Sequence, residues 1–367
     1  MRNSCVEPSI NHFLQVLEEV FPQEWRQCNL FGIRQGGFST VFFIQFKGAN
    51  YSLKIGKKPI TIEKAKEKAE EFKLEVDISN GLTIHSTCKV IRNSSLESTN
   101  LAWILYEYIP GCTLYDLISK TNLENIPNHD LFLMKALVSS YKTIKYINTN
   151  SEHICRHRDI NPKNIMVNSD GVSFIIDFGQ SRKSTPNCIL ESERTDLRGT
   201  AAYRPSFAQK GTAVVYKTIY DMTGWARTFI SVAASEWLSS IRQIPSFEKK
   251  SPKYYELLRK ILENKENNDF DWDQLLEEII QNSHNILQDP EQLNEFQEFA
   301  RNYDPLKPEL HQKTTEYFEK AKQMNLILKC FEPENLGEKI DEISASRGIL
   351  ARNTNFSNYL LSKICED

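Results

Sequence analysis

The sequence predicts an α+β fold in two lobes, a five-stranded antiparallel sheet with one main helix followed by a mostly helical half. Three observations lead there. Short apolar runs of strand type, separated by glycine turns, crowd the stretch from Asn29 to Tyr106. Apolar residues at helical spacing dominate from Leu114 onward. Inside that helical half, Ile165-Met166-Val167 and Val172 to Ile176 flank the turn Asn168-Ser169-Asp170-Gly171, the pattern of a β-hairpin.

Bulk properties narrow the class. The 367 residues suffice for one two-lobed catalytic domain with an extension, or for two ordinary domains. With 45 basic against 48 acidic residues and a net charge of -3, composition gives no reason to expect a nucleic-acid or membrane partner. The eight cysteines include no C-x-x-C pair, which points to reduced thiols inside a cell. His153, Cys155 and His157 lack a second ligand pair, so zinc is not indicated. Met1 to Pro8 lacks the apolar core of a signal peptide. Gly224 to Leu238 is too short for a membrane span and contains Arg227 and Glu236, so it reads as a buried helix. The expectation is a soluble, cytoplasmic protein.

The elements follow in order. Ile10, Phe13, Leu14, Leu17 and Val20 predict an amphipathic lead-in helix within residues 1–28. Three strands, Leu30 to Arg34, Thr40 to Phe46 and Tyr51 to Ile55, are joined at Gly36-Gly37 and Gly48-Ala49-Asn50. A charged helix runs from Ile62 to Gly81, and the Lys57 to Lys73 run on it reads as a solvated face. Cys88 to Ile91 and Ala102 to Tyr106 complete the sheet. Helices are expected at Leu114 to Lys120 and Leu131 to Ile147, and the most apolar one at Val214 to Leu238. This divides the chain into a sheet lobe at 29–107, a helical lobe at 108–310 and a helical extension at 311–367.

The chemistry concentrates in His157-Arg158-Asp159-Ile160-Asn161-Pro162-Lys163-Asn164 and, beyond the hairpin, Asp177-Phe178-Gly179. Asp159 can accept a proton from an attacking hydroxyl. Asn164 offers an amide oxygen, and Asp177 a carboxylate, to a hard cation. Leu53 and Ile55 share one strand face and leave Lys54 on the other. The helix offers that ammonium Glu70, Glu71 or Glu75, with Glu75 preferred because Ile78 and Leu82 follow it at inward spacing.

These motifs resemble the eukaryotic-type protein kinases, whose signatures are H-R-D, four residues, N, and later D-F-G. The resemblance spans residues 29 to 240 well and 241 to 310 loosely. It implies a bilobal protein kinase fold that binds ATP and Mg²⁺ and acts on a protein substrate. Gly36, Gly37 and Val41 would form the glycine-rich loop over the phosphates. Lys54, held by Glu75, would reach the α and β phosphates. The backbone at Glu107 and Ile109 would meet the adenine edge, with Tyr106 as the bulky residue behind it. Asn164 and Asp177 would hold the metal, Asp159 would be the base, and Lys163 would stabilise the γ-phosphate.

Gly199-Thr200-Ala201-Ala202-Tyr203-Arg204-Pro205-Ser206 is similar to the close of the kinase activation segment. Thr200 there is the Ser/Thr form, its hydroxyl placed to bridge Asp159 and a catalytic-loop lysine; tyrosine or dual specificity stays open. The lysine that Ser/Thr members carry two residues after the base is Asn161 here. Arg34 and Ser39 replace two loop glycines. Ser206 replaces a glutamate whose usual arginine partner corresponds to Lys307, so packing is expected to hold the segment. Asp221 matches an aspartate that caps the catalytic-loop backbone, although an N-cap role alone would explain it. Arg158 pairs with an activation-loop phosphate in regulated relatives; here Asp196 is expected to supply the charge instead, with Thr195 and Ser192 as the alternative phosphosites.

Two other readings keep a place. One is a small-molecule phosphotransferase similar to the aminoglycoside and choline kinases; the other is a pseudokinase scaffold, favoured by the eroded glycine loop. The C-terminal helices are expected to meet a regulator. A divergent bacterial kinase, or an effector secreted into a host cell, fits the atypical helical lobe.

Overall fold

A computed structural model describes residues 5–6, 10–36, 39–59, 62–82, 86–94, 102–120, 123–149, 155–183, 199–208, 218–264, 271–307 and 334–335. They form two compact units. One takes in the described residues up to Asn80, Cys88 to Tyr108 and residues 334–335. The other takes in Gly81 to Thr87 and the described residues from Ile109 to Lys307.

The first unit is a sheet packed under a helix. Strand β1 (Cys5–Val6) precedes helix α1 (Ile10–Val20), which is followed by β2 (Asn29–Gln35), β3 (Ser39–Phe46), β4 (Ala49–Gly56) and β5 (Lys58–Pro59). Helix α2 (Ile62–Gly81), β6 (Val90–Asn93) and β7 (Trp103–Glu107) follow. All sheet pairings are antiparallel, as short hairpin loops require. The alternation read from sequence appears in β3, where Phe42 and Ile44 are buried and Val41, Phe43 and Gln45 are half-buried. Phe13, Leu17 and Val20 of α1 pack with Phe42, Leu53, Ile55, Trp103 and Leu105 into one core. Hydrogen bonds from Trp103 Nε1 to Glu19 (2.9 Å) and from Arg92 to the Val20 carbonyl (2.7 Å) tie that helix down.

The sheet holds one strand more than the five expected. Glu334–Asn335 (β13) pairs antiparallel with Leu30 and Asn29, giving the order β13-β2-β3-β4-β7-β6. The expected helical extension at 311–367 is therefore a strand at its only described residues, and the remainder of that expectation lies outside the described residues. An edge strand presents unpaired backbone groups, and two residues suffice to take up some of them.

The second unit is mostly helical. Strand β8 (Cys112–Thr113) leads into α3 (Leu114–Lys120) and α4 (His129–Thr149). The short strands β9 (Cys155–Arg156), β10 (Ile165–Val167), β11 (Ser173–Ile175) and β12 (Arg182–Lys183) surround the motif residues. Helices α5 (Thr218–Ala233), α6 (Ile244–Lys250), α7 (Pro252–Leu262), α8 (Trp272–Asn282) and α9 (Pro290–Asn302) complete it. The hairpin β10–β11 forms in the register Ile165 to Ile175 and Val167 to Ser173. Asn168 Oδ1 accepts from the backbone N–H groups of Asp170 (3.0 Å) and Val172 (2.9 Å), which closes its turn.

Three boundaries differ from the sequence reading, and the first is Tyr108, assigned there to the helical lobe, which belongs to the sheet unit. Gly81 to Thr87, assigned there to the sheet lobe, belongs to the helical unit: the Ile175 N–H donates to the Ser86 carbonyl (3.0 Å) and Thr143 donates to the Ser86 hydroxyl (2.7 Å). The apolar helix stops at Ala233 rather than Leu238, because Ser235 takes a left-handed φ of 50°. No helix among the described residues is long and apolar enough to cross a membrane.

Candidate active site

In the first unit the acid that meets Lys54 is Glu75. Lys54 Nζ lies 2.8 Å from both Glu75 carboxylate oxygens. Both residues are buried, Lys54 with 8% and Glu75 with 2% of the surface exposed. Burial of a charge is tolerated because each neutralises the other. Tyr106 adds a donor: its hydroxyl gives a 2.6 Å hydrogen bond to Glu75 Oε1. Glu71, the reserve candidate, pairs with Lys68 instead (3.0 Å). Lys54 opposes Val41 on β3 and Ile104 on β7, so its position in the sheet is fixed by register.

The β2–β3 turn begins with a 2.8 Å bond from the Gly36 N–H to the Ser39 carbonyl, while Gly37 lies outside the described residues. Val41 is half-buried. The Glu107 N–H is spent on the Lys89 carbonyl (2.9 Å). Ile109 belongs to the second unit, where its side chain is buried.

In the second unit the catalytic loop is held by its backbone. Asp221 Oδ2 accepts from the His157 N–H and Oδ1 from the Arg158 N–H, both at 2.8 Å. Asn148 also donates to this carboxylate (3.1 Å). The two bonds place Asp221 as a cap on the loop rather than on its own helix. His157 donates from Nε2 to the Ile176 carbonyl (3.0 Å) and accepts at Nδ1 from the Asp159 N–H (3.3 Å), a pattern that fits the Nε2–H tautomer. The buried Phe178 ring lies 5.0 Å from the His157 ring, which links the two motifs. Arg158 (φ 68°) and Asp177 (φ 64°) both hold left-handed backbone, a strain that persists only where the surroundings fix it. The Asp177 side chain is exposed next to the buried Phe178.

Asp159 is the centre of a polar cluster. Thr200 donates to its Oδ1 twice, from the backbone N–H (2.7 Å) and the hydroxyl (2.8 Å). Asn161 Nδ2 donates to the same oxygen (3.0 Å) and reaches the Thr200 hydroxyl (3.3 Å). Asn164 Nδ2 donates to Asp159 Oδ2 (3.1 Å) and to the Asp159 carbonyl (2.9 Å). With its amide nitrogen used this way, Asn164 keeps its amide oxygen for another partner. Burial raises the Asp159 carboxyl above its ordinary value, and the two Thr200 donations oppose that rise.

Gly199 makes the approach of Thr200 feasible. Its φ is +87°, and a Cβ there would collide with the Arg158 carbonyl. A glycine does the same for α5, since a Cβ on Gly224 would lie 2.5 Å from the Ile160 carbonyl.

Two placements add to the sequence reading. The Thr200 hydroxyl bridges Asp159 and Asn161 rather than Asp159 and a lysine; Asn161 was noted there only as a missing lysine, and its amide could have been read as a donor able to serve both oxygens. Lys163, expected at the γ-phosphate, holds its ammonium 4.6 Å from the Tyr115 ring centre and 5.1 Å from that of Trp237. Arg158 is buried, and Asp196, Thr195 and Ser192 lie outside the described residues.

Residues 31–281 match the protein kinase domain family. The chain belongs to that family. Its relatives include the serine/threonine-protein kinase PTK2 of Candida glabrata, 25% identical over 141 residues that make up 37% of this chain and 18% of that protein. A probable serine/threonine-protein kinase of Clostridium perfringens is 25% identical over 195 residues, covering 53% of this chain and 26% of the relative. The U-box domain-containing protein 33 of Arabidopsis thaliana is 24% identical over 220 residues, covering 59% and 23%. The chain thus aligns with about a quarter or less of each of these relatives' lengths.

Proposed function

We propose that this protein kinase domain transfers the γ-phosphate of ATP to serine or threonine hydroxyls of a protein substrate. The observation that carries the reading is the double donation of Thr200 to Asp159 Oδ1, which, with the Asn164 donation to Oδ2, holds the carboxylate in one orientation. Asp159 orients the substrate hydroxyl and takes its proton. Thr200 and Asn161 fix the carboxylate, and Lys54, held by Glu75 and Tyr106, offers its ammonium to the α and β phosphates.

The donor set suits magnesium. Asn164 offers an amide oxygen and Asp177 a carboxylate, both hard oxygen ligands, and Mg²⁺ is ordinarily held by one or two such protein groups together with substrate phosphates. When bound, Mg²⁺ neutralises charge on the β and γ phosphates. Lys163 has the smallest share in the γ-phosphate on this reading, because its charge already rests on two aromatic rings.

The test is transfer of labelled γ-phosphate from ATP with Mg²⁺ to the protein itself and to a generic basic protein, with Asp159→Ala and Asp177→Ala as controls. Label that enters protein and disappears in both variants supports the reading, and phosphoserine or phosphothreonine in the hydrolysate fixes the specificity. ATP binding without labelled protein would move the small-molecule kinase and scaffold readings ahead, and ATP consumption across a metabolite panel would separate those two.

A further inference from the structure

Arg227 lies in the middle of α5 with only 2% of its surface exposed. No described acid pairs with it, and burial alone pushes its guanidinium down to about 10, so it stays charged at neutral pH. A buried cation without a counter-ion is costly unless strong dipoles replace its water. Arg227 finds those dipoles on another segment. Its Nη1 donates to the Ala202 carbonyl (3.0 Å) and to the Arg204 carbonyl. Arg204 in turn donates from Nη2 to the Gly199 carbonyl. One turn further along α5, Ser231 meets the Tyr203 hydroxyl at 3.2 Å, and Tyr203 also accepts from the Leu238 N–H (3.4 Å).

The segment so held begins with the residue that binds Asp159. It is also the segment whose expected ion pair is absent from the sequence, with Ser206 in place of the glutamate. Packing was expected to hold it; a guanidinium from the central helix does so as well. We propose that Arg227 is a positioning residue that, through the Ala202 and Arg204 carbonyls, fixes the segment Gly199 to Arg204 and with it the Thr200 contacts on Asp159. The catalytic consequence rests on Asp159 acting as the base of phosphoryl transfer; the mechanical one does not. Both carbonyls, two residues apart, accept from Nη1, whose two N–H directions are fixed by the planar guanidinium, an arrangement a freely rotating ammonium holds less well.

The experiment compares wild type, Arg227→Met and Arg227→Lys in the full chain. Amide hydrogen exchange should accelerate by about tenfold or more in residues 199–205 of Arg227→Met while helix α4 keeps its protection. Arg227→Lys, which keeps the charge, should fall between. In the transfer assay kcat should drop by about tenfold, the order expected for losing charge-assisted hydrogen bonds, while the KM for ATP stays within about twofold. Unchanged exchange in 199–205, or an acceleration spread evenly over α4 and α5, would overturn the proposal. If Arg227→Met does not fold, the exchange pattern of Arg227→Lys decides: local acceleration supports it and none overturns it. If wild type transfers no phosphate, the functional reading fails by itself, and the exchange data still judge the mechanical part.

Discussion

Thr200 grips one oxygen of Asp159 from two sides, with its backbone N–H at 2.7 Å and its hydroxyl at 2.8 Å. The backbone contact survives any substitution that keeps the loop, so side-chain variants isolate the hydroxyl. Thr200→Ser should retain most of the transfer rate. Thr200→Ala should lose about tenfold to a hundredfold, the rate equivalent of a hydrogen bond to a charged group. Steady-state rates for the three proteins check this, and equal rates for Ala and Thr would refute it.

Asn161 supports the same oxygen and the Thr200 hydroxyl. Asn161→Ala should slow transfer by about tenfold. Lys163→Met, by contrast, should slow it by less than Thr200→Ala does, because that ammonium rests on Tyr115 and Trp237. A loss of about a hundredfold in Lys163→Met would mean that the lysine leaves its aromatic seat during turnover.

The Lys54–Glu75 pair is buried, so removing one partner strands the other's charge. Lys54→Met and Glu75→Gln should each cost about 3–5 kcal/mol in urea unfolding. The double replacement Lys54→Met with Glu75→Gln should cost less than the sum. Tyr106→Phe removes the 2.6 Å bond to Glu75 and should cost about 1.5–3 kcal/mol. Strict additivity of the two charge variants would show that the pair is not coupled.

Burial pushes the thiols of Cys28 and Cys155 up to about 12. Thiolate is the attacking form, and its fraction falls tenfold for each pH unit below the pKa. At pH 8 that fraction is about one in ten thousand, against about one in ten for an ordinary thiol near 9. Iodoacetamide should therefore modify these two cysteines in native protein on the order of a thousandfold more slowly than in urea, with the native rate rising as pH rises. Peptide mass spectrometry reads both sites, and equal native and denatured rates would contradict the burial.

Much of this architecture was legible in the residues. Alternation gave the five strands from Asn29 to Glu107, and the inward spacing of Ile78 and Leu82 singled out Glu75 from three acids on its helix. Other features depend on neighbours that no periodicity encodes. Glu334–Asn335 is too short to carry a pattern, and its strand exists only because β2 offers an edge. The end of α5 rests on a left-handed serine, a conformation that residue type does not announce. Arg227 reads in sequence as a lone charge in an apolar helix. Its reason became visible only when the Ala202 and Arg204 carbonyls came to face it.

One face of α5 presents Asp221, Gly224, Arg227 and Ser231 in succession, and three of the four address backbone atoms of other segments. Those backbone atoms are the same whatever side chain they carry. Residues such as Ala201 and Ala202 can therefore drift without moving the carbonyls and amides that the helix reads. In a saturation library, intolerance should gather at four helix positions that supply none of the proposed catalytic groups, while much of the loop beside Asp159 accepts replacement. A chain built this way can lose familiar letters from its motifs and keep the shape those letters usually secure.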